Sequence, residues 1–354
     1  MSIQDRSEVA LECVAKSGHP VSLTIPDRDD LGNVCRWLAG NKERIDEALL
    51  KHGVLYMHGL PVRSTDDFAQ VRDALVRQRA AYKEQATPRS HFGSDVYSST
   101  DLPASQAIRP HNENSYTLAF PGLLVFGCLT APETGGATPV TDVRSVLQQI
   151  PAALLTKFRE KGWALTRNYV DHLGLAWTTA FATQDRKVVS RYCDENLIAH
   201  EWCDDGHLKT VQRRSAVIAH PSSGDEVWFN HAVFWSEWSL DPDVRDVFRE
   251  ELGAGNLPFS TSFGDGEPIS ESDIKVIDAA YRQATVRESW KAGDVMIVDN
   301  ILAAHGREPF RGSRKIAVAM GDPVELADCH PTVPPLGGLA SPAGRRWFRQ
   351  ARRS

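Results

Sequence analysis

The chain has 354 residues, of which 42% are hydrophobic and 24% charged, with a formal net charge of −6. That apolar share supports a packed core and excludes a disordered chain. The acidic balance argues against a nucleic-acid partner, which usually meets a basic face.

In chain order, the first helical pattern carries Ile45, Leu49 and Leu50 and stops before Gly53; a strand over 53–57 follows. A second helix over 65–77 places Phe68, Val71 and Leu75 on one stripe. Strands are predicted over 123–128 and 138–143. One helix then carries Val146, Ile150, Leu154 and Phe158. Further strands fall over 216–219 and 227–229. Asp241 as N-cap, Pro242 at the first helical position and Gly253 beyond the end predict another helix. Ser270 with Asp273 resembles a capping box for a helix bearing Ile274, Ile277 and Tyr281. The last strands fall over 295–298 and 316–320, where β-branched residues recur.

Many short strands, with helices at the start and as insertions, predict a mainly β protein of the jelly-roll or barrel kind. The expected organisation is a single domain over 1–354. Its core spans roughly 50–322, with helical insertions around 144–160 and 240–285 and a C-terminal tail over 323–354. Irregular alternation of strands and helices speaks against a doubly wound parallel sheet. No GxGxxG follows a strand and no GxxxxGK[ST] occurs, so no nucleotide-phosphate cradle is expected. The stretch from Asn114 to Pro132 is uncharged, but Pro121 and polar residues interrupt it, and no membrane span is expected. The chain opens on MSIQDRSEV, with no apolar run, and its six cysteines form no CxxC pair. Both features predict a cytoplasmic protein with reduced thiols. The segment 241–280 holds ten acids and three basic residues, and the last ten residues hold five arginines and no acid; each reads as solvated surface.

The sharpest local pattern is Ile108-Arg109-Pro110-His111-Asn112-Glu113. In an extended segment residues i and i+2 share a side, so His111 and Glu113 would offer an imidazole and a carboxylate to one point. A lone HxE is equally well a hydrogen-bonded surface pair. A metal held facially by two histidines and a carboxylate needs one more ligand and leaves three octahedral positions open. His305, after the apolar run 295–298 and a polar turn, is the first candidate; His58, His172, His220 and His231 are rivals. Arg109 and Ser115 share the alternation of His111 and Glu113, which turns them toward the pocket or leaves them on its rim. Asn230, with Trp228 and Phe229, lines the site or supports it from the core.

Three motifs, in this order, carry a resemblance. The first is HNENSY (His111 to Tyr116), then an apolar strand and Gly135-Gly136-Ala137-Thr138-Pro139. The second is VWFN (Val227 to Asn230) after His220-Pro221. The third is W-x-x-GD-x-x-x-x-DN ending in HGR (Trp290 to Arg307), followed by Gly312-Ser313-Arg314-Lys315-Ile316. The chain resembles the taurine-dioxygenase-like and clavaminate-synthase-like iron(II)/2-oxoglutarate oxygenases over roughly 50–322. The resemblance implies a double-stranded β-helix, a jelly roll of cupin-like form, with N-terminal and inserted helices. It implies His111, Glu113 and His305 as iron ligands, with Thr138 and Arg314 binding the distal carboxylate of 2-oxoglutarate. Lys315 is the rival for Arg314 if the register shifts by one, although a planar guanidinium meets a carboxylate bidentately and an ammonium does not. It further implies hydroxylation of an amino-acid-like small molecule, free or tethered to a carrier protein, in an antibiotic-type pathway, using O2 and releasing succinate and CO2. Desaturation and epoxidation are variants of the same class. Related halogenases lack the carboxylate ligand, so Glu113 disfavours chlorination. Arg89 and Tyr97 fall in the loop before the first ligand strand, where substrate lids often lie. A zinc hydrolase on the same three ligands would have no need of Thr138 and Arg314. A non-catalytic binding protein would have no need of the ligands at all.

Overall fold

A computed structural model describes residues 11–80, 84, 89–169, 175–203, 206–253 and 256–336. His172 and the Arg-rich end of the tail lie outside the described residues.

Three N-terminal helices form from local capping signals. Asp30 accepts from the Asn33 amide and caps Leu31–Gly40. Lys42–His52 ends at Gly53, whose φ of 72° is a left-handed conformation that costs glycine little. Ser64 and Asp67 form a reciprocal capping box at the start of Thr65–Leu75. These helices bury Val34, Leu38, Ile45, Leu49, Phe68, Val71 and Leu75 against one face of an eight-stranded sheet.

The centre of that sheet is Val54–Met57, Val295–Asp299, Ala119–Thr130 and Lys315–Glu325, side by side. Side chains alternate across it, as a pleated strand requires. Leu55, Met57, Leu123, Val125, Val295, Ile297, Ala317 and Ala319 meet the helices. Tyr56, Leu124, Phe126, Met296, Val298, Ile316 and Val318 point to the other side, where they pack with Val140 and Ala303. Those two residues belong to a second sheet, ordered Thr285–Val286, Val140–Asp142, Ala303–Arg307, Ile108–His111. The candidate site lies in the space between the two sheets, with the Phe126 ring 5.1 Å from that of His305. The architecture is therefore mixed sheets and helices, and among the described residues no sheet closes into a barrel.

Two expectations need correction. The helix expected through Val146, Ile150, Leu154 and Phe158 is two helices, Val143–Gln149 and Ala152–Lys161. Pro151, which has no amide hydrogen to donate, separates them while the apolar spacing runs on across the break. The insertion over 240–285 is not purely helical, because the strand Phe259–Phe263 lies between its helices Pro242–Leu252 and Glu271–Ala284. That strand joins a sheet ordered Ala199–Trp202, Leu208–Arg214, Trp163–Tyr169, Phe259–Phe263 that no sequence pattern foretold. Arg167 and Arg214 are buried in it and break up the apolar alternation by which strands are recognised. Among the described residues, no helix is long and apolar enough to cross a membrane.

Candidate active site

His305 and His111 are direct cross-strand partners on Ala303–Arg307 and Ile108–His111, and their ring centroids are 4.4 Å apart. Gly306 permits the approach of the two strands: a Cβ there would lie 2.6 Å from the Ile108 carbonyl oxygen. The strand stops at His111, so Glu113 reaches the same point by a turn rather than by alternation. Asn114 takes φ 55° in that turn. Asn300 clamps it: its Oδ1 accepts from the Glu113 amide at 2.7 Å, and its Nδ2 donates to the Glu113 carbonyl at 2.9 Å.

The clamp is itself held. Asp299 Oδ1 accepts from the amides of Ile301 and Leu302 at 2.9 and 3.0 Å. His220 Nε2 lies 3.1 Å from Asp299 Oδ2. The Ser222 and Ser223 amides donate to His220 Nδ1 at 3.2 and 3.1 Å, so the proton is on Nε2 and goes to Asp299. His220 thus supports the turn before His305. His231 is also occupied, with Nδ1 2.6 Å from the Ser115 hydroxyl and its ring stacked on Trp235. His58 lies beside Ser22 and Asp294, away from His111 and Glu113.

The donor atoms of His111, Glu113 and His305 lie within 4.8 Å of one another. His305 Nε2 is 3.7 Å from Glu113 Oε2. Burial pushes the pKa of His305 well below its ordinary value, and the neighbouring His111 and Arg89 add to the shift. Burial also lowers that of His111, against the opposing pull of Glu113. Both imidazoles are therefore neutral near pH 7, the form that ligates metal. The Arg109 carbonyl, 2.9 Å from His111 Nδ1, takes the proton of that nitrogen and leaves Nε2 with its lone pair. Two neutral imidazoles and one carboxylate on one side of a cavity suit a first-row divalent metal with open positions. A metal would also relieve the burial of an acid beside two uncharged rings. Here a guanidinium serves that end: Arg89 Nη2 donates to Glu113 Oε2 at 2.7 Å.

Next to the triad is a cationic recess. Arg314 donates to the Gly136 carbonyl at 2.9 Å, the Ser99 hydroxyl at 3.0 Å and the Thr138 hydroxyl at 3.2 Å. Trp290 Nε1 also donates to Thr138, at 3.0 Å. Among the described residues no carboxylate pairs with Arg314. Its pKa falls to about 10, first from burial and then from repulsion by Arg307. A largely buried cation without an acid is costly unless an anion arrives. Lys315, by contrast, is exposed and lies over the Phe92 ring.

The cavity is lined by Arg89, Ser99, His111, Phe126, Thr138, Phe234, His305 and Arg314, among others. Of the remaining candidates, Arg307 also lines the cavity and the others stand apart from it. Arg109 pairs with Asp278 at 2.7 Å on the rim. Ser115 is buried behind the site on His231. Asn230 bonds the Ala216 carbonyl and the Ala232 amide, a purely supporting role. Trp228 and Phe229 belong to the core. Arg307 donates to the carbonyls of Leu102, Pro103 and Gln106 and so braces the loop before Ile108–His111. Ser99, Phe126 and Phe234 were not anticipated, since nothing in their local sequence marks them.

Residues 19–320 match the model of the taurine catabolism dioxygenase TauD, TfdA family. The chain belongs to this family. It is 37% identical over 280 residues to the dapdiamide synthesis protein DdaC of Enterobacter agglomerans, covering 79% of this chain and 85% of that one. It is 27% identical over 290 residues to a clavaminate synthase-like protein of Arabidopsis thaliana, covering 79% and 84%. A taurine dioxygenase from Burkholderia xenovorans has the same fold, with a TM-score of 0.53 at 16% identity over 97% of this chain and 99% of that one. The TauD/TfdA match begins at residue 19, so it takes in part of the N-terminal region that the sequence motifs left unassigned. The protein is thus an Fe(II)- and 2-oxoglutarate-dependent dioxygenase.

Proposed function

We propose that His111, Glu113 and His305 hold the iron, and that Thr138 and Arg314 bind the distal carboxylate of 2-oxoglutarate. The observation that carries the reading is the adjacency of a neutral-imidazole and carboxylate triad to a largely buried guanidinium that, among the described residues, pairs with no acid. In this reading the two stacked sheets are the halves of a double-stranded β-helix, a cupin-like jelly roll, within a single domain.

Iron bound there supplies O2 activation coupled to the conversion of 2-oxoglutarate to succinate and CO2, with one oxygen atom passing into a substrate C–H bond. The chain's own residues do the positioning. The strand pair sets the two imidazoles on one face, and Asn300 fixes the carboxylate beside them. Arg314 and Thr138 hold the far end of the co-substrate so that its keto-acid end turns to the metal. Phe126 and Phe234 keep the cavity wall apolar around the reacting centre.

The substrate class we propose is an amino acid or amino-acid-derived molecule in natural-product biosynthesis, oxidised by hydroxylation. The likeness to a dapdiamide synthesis protein supports that class. Substrate presentation on a carrier protein would fit the same pathway type, and desaturation or epoxidation would need no different ligand set.

The test is a titration of the apoprotein with Fe(II) and 2-oxoglutarate without oxygen, followed by absorbance. Wild type should develop a weak visible charge-transfer band on chelation, while His305→Ala and Glu113→Ala should not. An undiminished band in His305→Ala with loss in His231→Ala would assign the wrong histidine. A chlorinated product from wild type in the presence of chloride would contradict Glu113 as an occupied ligand position.

A further inference from the structure

The Thr138 hydroxyl oxygen lies 3.0 Å from Trp290 Nε1 and 3.2 Å from Arg314 Nη2. An indole N–H and a guanidinium can only donate, whereas a hydroxyl has two acceptor positions and one proton. Both acceptor positions of Thr138 are therefore taken, and its proton is what it has left to give. Among the described residues nothing receives that proton. Thr138 is buried and lines the cavity beside Arg314 and Ser99. A buried donor without an acceptor is costly, and an incoming acceptor removes the cost.

The indole is aimed as well as packed. Trp290 is buried, with its ring 5.2 Å from that of Tyr56. The Tyr56 hydroxyl donates to Asp294 Oδ2 at 3.2 Å. The same carboxylate accepts from the Lys291 amide at 2.8 Å and the Gly59 amide at 3.0 Å. These bonds close the turn between Trp290 and the strand Val295–Asp299. Gly293 takes φ 88° in that turn, and a Cβ there would lie 2.3 Å from the Leu60 carbonyl oxygen. The glycine and the aspartate of the Trp-x-x-Gly-Asp pattern thus fix where the indole N–H points. Without that N–H the Thr138 hydroxyl would still accept from Arg314, but its proton could turn between the two remaining positions.

We propose that Trp290 is a positioning residue for co-substrate recognition: its N–H occupies one acceptor position of the Thr138 hydroxyl and so commits the hydroxyl proton to the distal carboxylate of 2-oxoglutarate. This rests on the assignment of Thr138 and Arg314 to that carboxylate. Arg314 keeps N–H groups beyond those given to Gly136, Ser99 and Thr138. With the Thr138 proton turned the same way, the guanidinium and the hydroxyl both act as donors. Donors alone suit an ionised carboxylate, which accepts on both oxygens.

The test is calorimetric binding of two oxo acids to the folded full chain loaded with Fe(II) without oxygen. One is 2-oxoglutarate; the other is 2-oxopentanoate, which shares the keto-acid end and lacks the distal carboxylate. Wild type should prefer 2-oxoglutarate. Thr138→Val should weaken 2-oxoglutarate by about ten- to a hundredfold, the loss of a hydrogen bond to a charged group. Trp290→Phe keeps a ring and loses the N–H. It should weaken 2-oxoglutarate by about three- to tenfold and leave 2-oxopentanoate within a factor of about two. In the Thr138→Val background Trp290→Phe should add less than about twofold, because both act through one hydroxyl. Trp290→Gln, which keeps an N–H of similar reach and loses the ring, should keep most of the preference. The proposal is overturned if Trp290→Phe weakens both oxo acids alike or leaves 2-oxoglutarate unchanged. It is overturned too if the two substitutions multiply in the double variant, or if Trp290→Gln loses the preference as fully as Trp290→Phe. Arg314→Ala separates the two readings: an undiminished preference for 2-oxoglutarate there refutes the assignment of the distal carboxylate itself.

Discussion

Replacing Asn300 by alanine should damage the site without touching any proposed metal ligand. The Asn300 side chain receives the Glu113 amide and donates to two carbonyls, those of Glu113 at 2.9 Å and Pro121 at 2.7 Å. Asn300 is fully buried, so truncation leaves three buried backbone groups without partners. Each such group costs about 1–3 kcal/mol. Partial relaxation and entry of water into the vacated space offset some of this, so a net loss of about 3 kcal/mol is expected for the metal-free protein. The carboxylate would lose its fixed approach as well, because its backbone is no longer tied to the turn that precedes His305. Outer partners of this kind change metal affinity by about ten- to a hundredfold.

Urea unfolding of the metal-free protein and a Co(II) titration measure the two effects separately. Asn300→Asp is the informative companion. It keeps an acceptor for the Glu113 amide, loses both donors and adds a charge close to an existing acid, so it should bind metal no better than Asn300→Ala and be no more stable. If Asn300→Ala loses less than about 1 kcal/mol and binds Co(II) within a factor of about two of wild type, the turn does not depend on the clamp. The position of Glu113 would then have to be set by its own segment alone.

Other outcomes follow from the same geometry. Arg314→Ala should weaken 2-oxoglutarate by about thirty- to several-thousandfold, read from the co-substrate dependence of the charge-transfer band, with Thr138→Ala milder and Lys315→Ala near wild type. His111, His231 and His305 all have lowered pKa values in the folded protein, each chiefly through burial. Below pH 6.5 the unfolded chain takes protons that the folded one refuses, so the urea midpoint of the metal-free protein should fall as the pH drops from about 7 toward 5 and be flatter above. A thiol reagent at pH 8 should modify exposed Cys203 first, because burial pushes the Cys128 and Cys329 thiols up to about 12 and leaves little thiolate. Fast loss of all six thiols from the native protein would contradict that burial.

The parts of this molecule that were legible in sequence are those whose cause is local. The capping signals at Asp241 and Ser270 each start a helix at the following residue. The apolar runs around Leu55, Val125, Ile297 and Val318 became the central strands because their alternation serves two packed faces. The site was legible only through motifs, and the physical argument offered for it was incomplete. Alternation along an extended strand would carry His111 and Glu113 to one side, yet the strand ends at His111. The carboxylate arrives through a turn fastened by a residue 187 positions away. The same alternation left Arg109 and Ser115 between pocket and rim: Arg109 lies on the rim with Asp278, whereas Ser115 is buried on His231. Long-range satisfaction of polar groups has no local signature. The sheet containing Trp163–Tyr169 and Leu208–Arg214 was hidden for the same reason: its buried Arg167 and Arg214 read as surface residues. Arg214 is tolerated there because it donates to the carbonyls of Tyr116, Leu197, Arg213 and Asn196, drawn from separate parts of the chain. Arg89 follows the same logic at the site itself. Its sequence neighbours predict a loop, and only the fold brings its charge to Glu113. Charge that is stabilised at a distance thus marks where sequence reading fails in this chain.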